Sequence, residues 1–282
     1  MKNTMAAIAA AMAIAAAHAQ PATVEAVQYP AWLERDGLAV PLAPGTKLQA
    51  RDRVRTGANS RVQVKLGEGS TVKVGENAQL VVERLEDASV FRAGLNMVTG
   101  AIRFTTDAAS SGKARNVEIK AKNVTAGVRG TDLWGKATED RDWVVLIEGR
   151  ISVAAAGHPA VTLEKPLDLY QKPRDGAPEV VKADPAQLEA WARETDIAAD
   201  GPAARLGGEW RVVAATLPSR DAGRKLVREL RTAGFPAELH PGPEKFVAVA
   251  VPHLASEPQA RAVMAALRGL PGVMLPKVDR MP

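Results

Sequence analysis

The residues best equipped for chemistry are few and scattered. The chain has no cysteine, which excludes thiol nucleophiles, thiolate metal sites and disulfides. His158, His240 and His253 each adjoin a proline in turn-like sequence, and none has the spacing of a metal-ligand set. Thr138-Glu139-Asp140-Arg141-Asp142 gathers three carboxylates that could offer oxygen ligands to a cation. It lacks the glycine and the alternation of a calcium loop, and reads as a solvated hairpin tip. Ser110 and Ser111 lie in an Ala-Ser-Gly run with no base nearby in sequence. We therefore expect no enzyme, no metal and no cofactor, and look for binding surfaces. Two sets of residues qualify. Gly127, Arg129, Gly130, Thr131 and Asp132 form a glycine-flanked charged step inside "AGVRGTD". Trp210, Arg211, Val213, Thr216, Lys245, Val247 and Val249 belong to strand-like sequence near the C-terminus.

The elements that position the first set have a period of two. In "RVQVKLGEGSTVKV", Val62, Val64 and Leu66 share a face with Val72 and Val74 across a turn, a β-hairpin with one buried side. "NVEIKAKNV" turns Val117, Ile119 and Ala121 inward, and Glu118, Lys120 and Lys122 outward. Trp143 to Ile147 is continuously apolar, as in a strand buried on both faces. Within this all-β region, Gly127 and Gly130 supply backbone freedom for a bend, and Thr131 restarts the strand. Arg129 can bond exposed carbonyls or a carboxylate such as Asp132. A structural corner is the first reading, and a ligand-reading Arg129 the second.

The second set belongs to a region of mixed period. "WRVVAATL" reads as a strand, followed by a helix with Ser219 as N-cap and Gly234 as its stop. "FPAELH" and "KFVAVAV" read as strands, then comes a helix capped at Ser256, and "VMLP" as the closing strand. The order βαββαβ implies a four-stranded antiparallel sheet with both helices on one face. Alternation turns Val212, Ala214, Ala248 and Ala250 toward the helices, and Arg211, Val213, Ala215, Val247 and Val249 toward an open face. Between the two regions, residues 158–208 read as a proline-rich linker with one short helix over 184–195, N-capped by Asp184.

Lys2, the apolar run Met5 to Ala17 and the small residues around Ala19 read as a cleaved export signal over residues 1–19. The expectation is a soluble periplasmic protein, not membrane-spanning after cleavage. A formal charge of +5 with scattered Lys and Arg, and only 4% aromatic residues, argues against nucleic acid as the partner.

Two resemblances follow from these stretches. "GTKLQARDRVRTGANSRVQVKLGEGSTVKVGENAQL", "RAGLNMVTGAIRF" and "NVTAGVRGTDLW…VVLIEGRISV" together resemble the FecR domain of iron-dicitrate-type regulators, over roughly Val24 to Val153. The C-terminal βαββαβ segment resembles a SPOR domain, through "WRVVAATL" and Pro252 after the third strand; it departs from the family at Val213, Ala215, Val247, Val249 and Val251. The expected fold is α+β multidomain: an all-β FecR-like domain over 20–157, built as a sandwich, roll or short β-solenoid, then a ferredoxin-like SPOR domain over 209–282. The SPOR resemblance implies binding to peptidoglycan glycan strands stripped of stem peptides, with the β domain presented to another envelope component. The FecR resemblance implies an alternative: a soluble sensor or regulator acting through a membrane protein partner, its C-terminal sheet binding protein rather than glycan.

Overall fold

The computed structural model describes residues 22–106, 114–128 and 130–281. In chain order the elements are β1 (Ala22–Gln28), β2 (Ala31–Arg35), β3 (Leu38–Pro41), β4 (Arg53–Thr56), β5 (Arg61–Leu66), β6 (Thr71–Val74), β7 (Gln79–Asp87) and β8 (Phe91–Thr105). There follow β9 (Arg115–Ala121), β10 (Val124–Val128), β11 (Asp132–Ala137), β12 (Arg141–Glu148), β13 (Ile151–Ala155), β14 (Val161–Leu163), β15 (Asp168–Pro173), β16 (Glu179–Lys182) and α1 (Gln187–Thr195). The C-terminal region holds β17 (Ala203–Arg205), β18 (Trp210–Leu217), α2 (Arg220–Thr232), β19 (Glu238–Pro241), β20 (Val247–Leu254), α3 (Glu257–Leu267) and β21 (Lys277–Arg280).

The first sixteen strands make two layers. A short sheet runs β3-β2-β4-β7-β8-β9-β10-β13-β14, antiparallel except between β8 and β9. A long sheet runs β16-β15-β12-β11-β8-β6-β5-β1. Strand β8 serves both: its first part pairs with β7 and β9, its end with β6 and β11. The transfer happens at Gly100, whose φ of +93° is open to glycine and where a Cβ would strike Ala78. The inward face of the long sheet carries a cross-strand stripe from Val24 through Val64, Val72, Phe104 and Leu133 to Leu146, all buried. Opposite it lie Leu80, Val82, Leu95, Met97, Val117 and Ile119 of the short sheet, in one continuous core. The alternation that sequence reveals in β5, β6 and β9 is what fills this space.

The long sheet is buried on its outer face too, at one place. There α1 lies across it, and Trp191 stacks on Trp134 with ring centroids 5.0 Å apart. Ala101, Val145 and Ala183 complete this second cluster, with Trp143, Ile147 and Leu188 at its margin. Lys136–Glu194 at 2.9 Å and Lys73–Asp196 at 2.6 Å tie the helix end to the sheet. This explains the continuously apolar stretch of β12: one face meets the core and the other meets α1. The helix starts later than the sequence implies. Asp184 acts one step earlier, its carboxylate accepting from the Ala186 N–H at 2.9 Å, and α1 itself has no side-chain cap. The proline-rich stretch before it is strand rather than linker: β15 pairs with β12 and β16 with β15. Pro173 is tolerated because it ends its strand.

The C-terminal region has the βαββαβ order, with strands arranged β19-β20-β18-β21 and α2 and α3 packed on the sheet. Ser219 and Ser256 cap their helices as their sequence positions imply, accepting from Ala222 N and Gln259 N. The last strand is Lys277–Arg280; "VMLP", expected to be that strand, is loop instead. The region is not separate from the rest. Strand β17 pairs with β1 on one side and touches β20 through Ala204 and Leu254 on the other. Tyr29 packs on Phe235, and the Trp32 indole N–H donates to the Thr232 carbonyl at 3.2 Å.

Candidate functional site

The glycine-flanked step proves to be a crossing between the two sheets. Strand β10 pairs in the short sheet and β11 in the long one. The return crossing, from β12 to β13, lies directly against it. Gly130 has φ +74° and Gly149 φ +91°, and a Cβ on Gly149 would collide with the Gly130 carbonyl. The close stacking requires a glycine at 149, while at 130, where a Cβ would meet open space, the positive φ is what favours glycine. Thr131 is buried and locks the crossing: its hydroxyl donates to the Arg150 carbonyl at 3.1 Å, and its N–H donates to the Thr106 hydroxyl at 3.1 Å. Asp132 is held by Arg103 through two hydrogen bonds, of 3.0 and 2.7 Å. Its partner is thus a residue of the neighbouring strand, which no local reading of the sequence could supply. Gly127 lies on the outer face of the short sheet, in line with Glu118 and Ser152 on the neighbouring strands. Arg129 lies outside the described residues, as does the expected signal over residues 1–19.

The C-terminal candidates do not assemble as expected. Val247 and Val249 face the helices, not the open side: both belong to the core shared with Leu226, Leu230 and Val263. The Val247 side chain lies 3.0 Å from where a Cβ of Gly223 in α2 would be. Helices resting on a sheet need bulk beneath them, and the valines supply it, leaving Ala248 and Ala250 to the other face. A bulge between Val213 and Ala215 also turns Ala215 into the core. Val213 keeps the expected side, paired with Ala250 and Lys277, yet is only 6% exposed. Arg211 is engaged by Asp279 at 2.8 Å, and that bond holds the Asp279 carboxyl below its ordinary range. Trp210 packs at the edge of the core, Thr216 is exposed at the strand end, and Lys245 sits in the β19–β20 turn. The open face is therefore small, charged at its rim and without an apolar platform.

Three buried carboxylates, Asp52, Glu68 and Asp142, escaped the sequence reading, and Glu68 accepts from the Ser70 N–H at 3.0 Å. Asp52, 1% exposed, accepts two hydrogen bonds from Arg35 at 2.7 and 2.6 Å and one from Gln49 N at 2.8 Å. Asp142, read as part of a solvated hairpin tip, is buried and accepts from the Asn123 side chain at 2.7 Å. Only Glu139, Asp140 and Arg141 of that stretch are exposed. Asp52 and Asp142 each tie a loop to its neighbouring strand. Among the described residues, no three His, Cys, Asp or Glu side chains are grouped to hold a metal ion, and no helix is long and apolar enough to cross a membrane.

The outer face of the short sheet is bare and polar. Lys120 pairs with Glu83 at 2.8 Å and with Glu118 at 3.4 Å, and Asn96 donates to Glu83 at 2.8 Å. The Lys120 hydrogen bond, with that of Asn96, holds the Glu83 carboxyl below the usual range against the opposing effect of burial.

Among curated proteins none matches the chain. Two crystal structures of a protein from Parabacteroides distasonis, provisionally assigned as an anti-sigma factor, are similar at TM-score 0.42. One is 13% identical, with 62% of this chain and 73% of that chain covered. The other is 12% identical, with 77% and 90% covered. The model of the family described as "FecR protein" matches residues 52–152. That span opens at buried Asp52 and closes at Ser152 in β13, so the β10–β11 and β12–β13 crossings both fall inside the part of the chain that is similar to this family.

Proposed function

We propose that this chain is a non-catalytic regulator of the FecR type, which works by holding another protein of the cell envelope against its β domain. The observation that carries this reading is the FecR family match over residues 52–152. The contact face is the outer side of the short sheet, where Glu83, Glu118 and Lys120 stand on paired strands and, among the described residues, no helix packs over them. A firm, mixed-charge strand face suits a specific and reversible protein contact, because charged rims steer encounter and reject wrong partners. The N-terminal apolar stretch supports a periplasmic location, and a membrane protein is then the natural partner.

The glycan reading has lost its physical basis in the C-terminal sheet. Its valine platform faces α2, and Arg211 is already paired. The test uses the full chain. Photo-crosslinking groups placed at Lys120 and Asn96 should capture one membrane protein in cells, while the protein stays in solution when mixed with purified sacculi. Sedimentation with sacculi that rises after amidase stripping, with no crosslink from either position, would reverse the assignment in favour of peptidoglycan.

A further inference from the structure

The far end of the C-terminal sheet exposes apolar side chains on firm loops. Leu275 is 96% exposed, Met274 53% and Phe246 42%. All three belong to one end of the sheet. Val247, next to Phe246, pairs with Leu217 at the end of β18, and the Met274 N–H donates to the Ala214 carbonyl at 3.1 Å, three residues back along the same strand. That separation is about 10 Å along the strand.

Neither loop is loose. In the segment after α3, Leu270 and Val273 pack against the core, and Gly272 lies close over Leu226 of α2. The inward apolar residues of this loop anchor it, while Met274 and Leu275 are turned out. Leu275 also has φ +47°, a left-handed conformation that a leucine adopts at a cost. The Phe246 turn is closed by two backbone bonds, Phe246 N to Pro243 O at 2.9 Å and Gly242 N to Phe246 O at 3.0 Å. Exposed Lys245 adjoins Phe246, exposed Lys277 follows Leu275 by two residues and exposed Arg268 opens the segment after α3, while Glu244 lies in the Phe246 turn and Glu229 close to Gly272.

We propose that this end of the molecule is a membrane-docking tip that inserts Phe246, Met274 and Leu275 into the interface of a bilayer bearing anionic phospholipid. The chemistry that selects this occupant is the pairing of protruding apolar groups with exposed Lys245, Arg268 and Lys277 on the same segments. Apolar side chains gain by leaving water at the acyl boundary, and Lys and Arg gain from an anionic headgroup layer. A protein partner would need a shaped groove for two separate loops; a fluid interface accepts them at any spacing. The inference does not depend on the regulator reading, which concerns the opposite region of the molecule.

The experiment is flotation of the full chain with vesicles of mixed phosphatidylglycerol and phosphatidylethanolamine, beside pure phosphatidylcholine. Binding to the anionic vesicles should fall about tenfold with Phe246→Ser plus Leu275→Ser, and should weaken as salt rises. Lys245→Glu plus Lys277→Glu should also lower it while leaving the unfolding midpoint unchanged, since these side chains are exposed. Equal binding to neutral vesicles, no vesicle binding at all, or a self-association in solution that the serine variant abolishes would each overturn the proposal.

Discussion

On the long sheet, outward positions in register across three strands are Arg103, Trp134 and Val145, and Trp191 of α1 covers the tryptophan. On the short sheet, the corresponding outward positions on β9 are Glu118 and Lys120, and among the described residues no helix packs over them. Both faces are made of regular paired strands with apolar inner sides. The outer side decides the rest: where it is apolar the chain brings a helix from some forty residues downstream to bury it, and where it is charged it is left free for another molecule. A sheet's second face is thus a statement about its environment, written in alternate residues.

This contrast can be broken at the covered face first. Trp191→Ala removes the stacked ring and should cost about 3 kcal/mol, measured by urea unfolding, with the fluorescence of the remaining tryptophans shifted to the red as Trp134 meets water. A loss below about 1 kcal/mol would mean that α1 rests on the sheet without stabilising it. Arg103→Ala comes next. It leaves Asp132 half-buried without its two charged donors and should cost about 2 kcal/mol, with Arg103→Lys recovering only part because a lysine cannot make the paired contact.

At the bare face the effects should be small. The carboxyl of Glu83 titrates below its unfolded value, so its contribution is complete above about pH 4.3 and is lost as pH falls through the lower folded value. Glu83→Gln should therefore flatten the acid limb of the stability profile by lowering stability slightly at neutral pH while changing little below the folded value. Lys120→Ala should shift stability by no more than about 0.5 kcal/mol, as for other exposed pairs. A larger loss from Lys120 than from Trp191 would invert the assignment of structural and contact faces.

Much of this architecture is legible in the residues themselves. The valines of β5, β6 and β9, the apolar run of β12 and the serine caps of α2 and α3 lie where their periods and positions place them. Phase was harder than period. Val-Ala-Val-Ala in β20 announces a strand, but which side meets the helices depends on the volume those helices leave, and on a bulge in the neighbouring strand. The stretch around Leu169 and Tyr170 is obscured by its prolines and charges, yet Pro166 and Pro178 fall between strands and Pro173 ends β15, so the pairing survives. Met274 and Leu275 mislead in the opposite sense, as apolar residues that are not buried. The partners of Asp52 and Asp132 were invisible for a simpler reason. They lie 17 and 29 residues away, and only the sheet register brings them together.

Strand β17 has only three residues, yet it is the seam of the molecule. It completes the flank of β1 at Ala26–Gln28 and hands the sheet on to Leu254 of β20. A cut made at Gly208, where composition alone would divide the chain, separates β17 from β20 and takes Phe235 away from Tyr29. The pieces would carry raw strand edges and a bared aromatic ring, the ingredients of colloidal instability rather than of two tidy modules. Recombination faces the same obstacle as the bench: the C-terminal region can be exchanged between proteins only if its new host supplies a β1 of matching register.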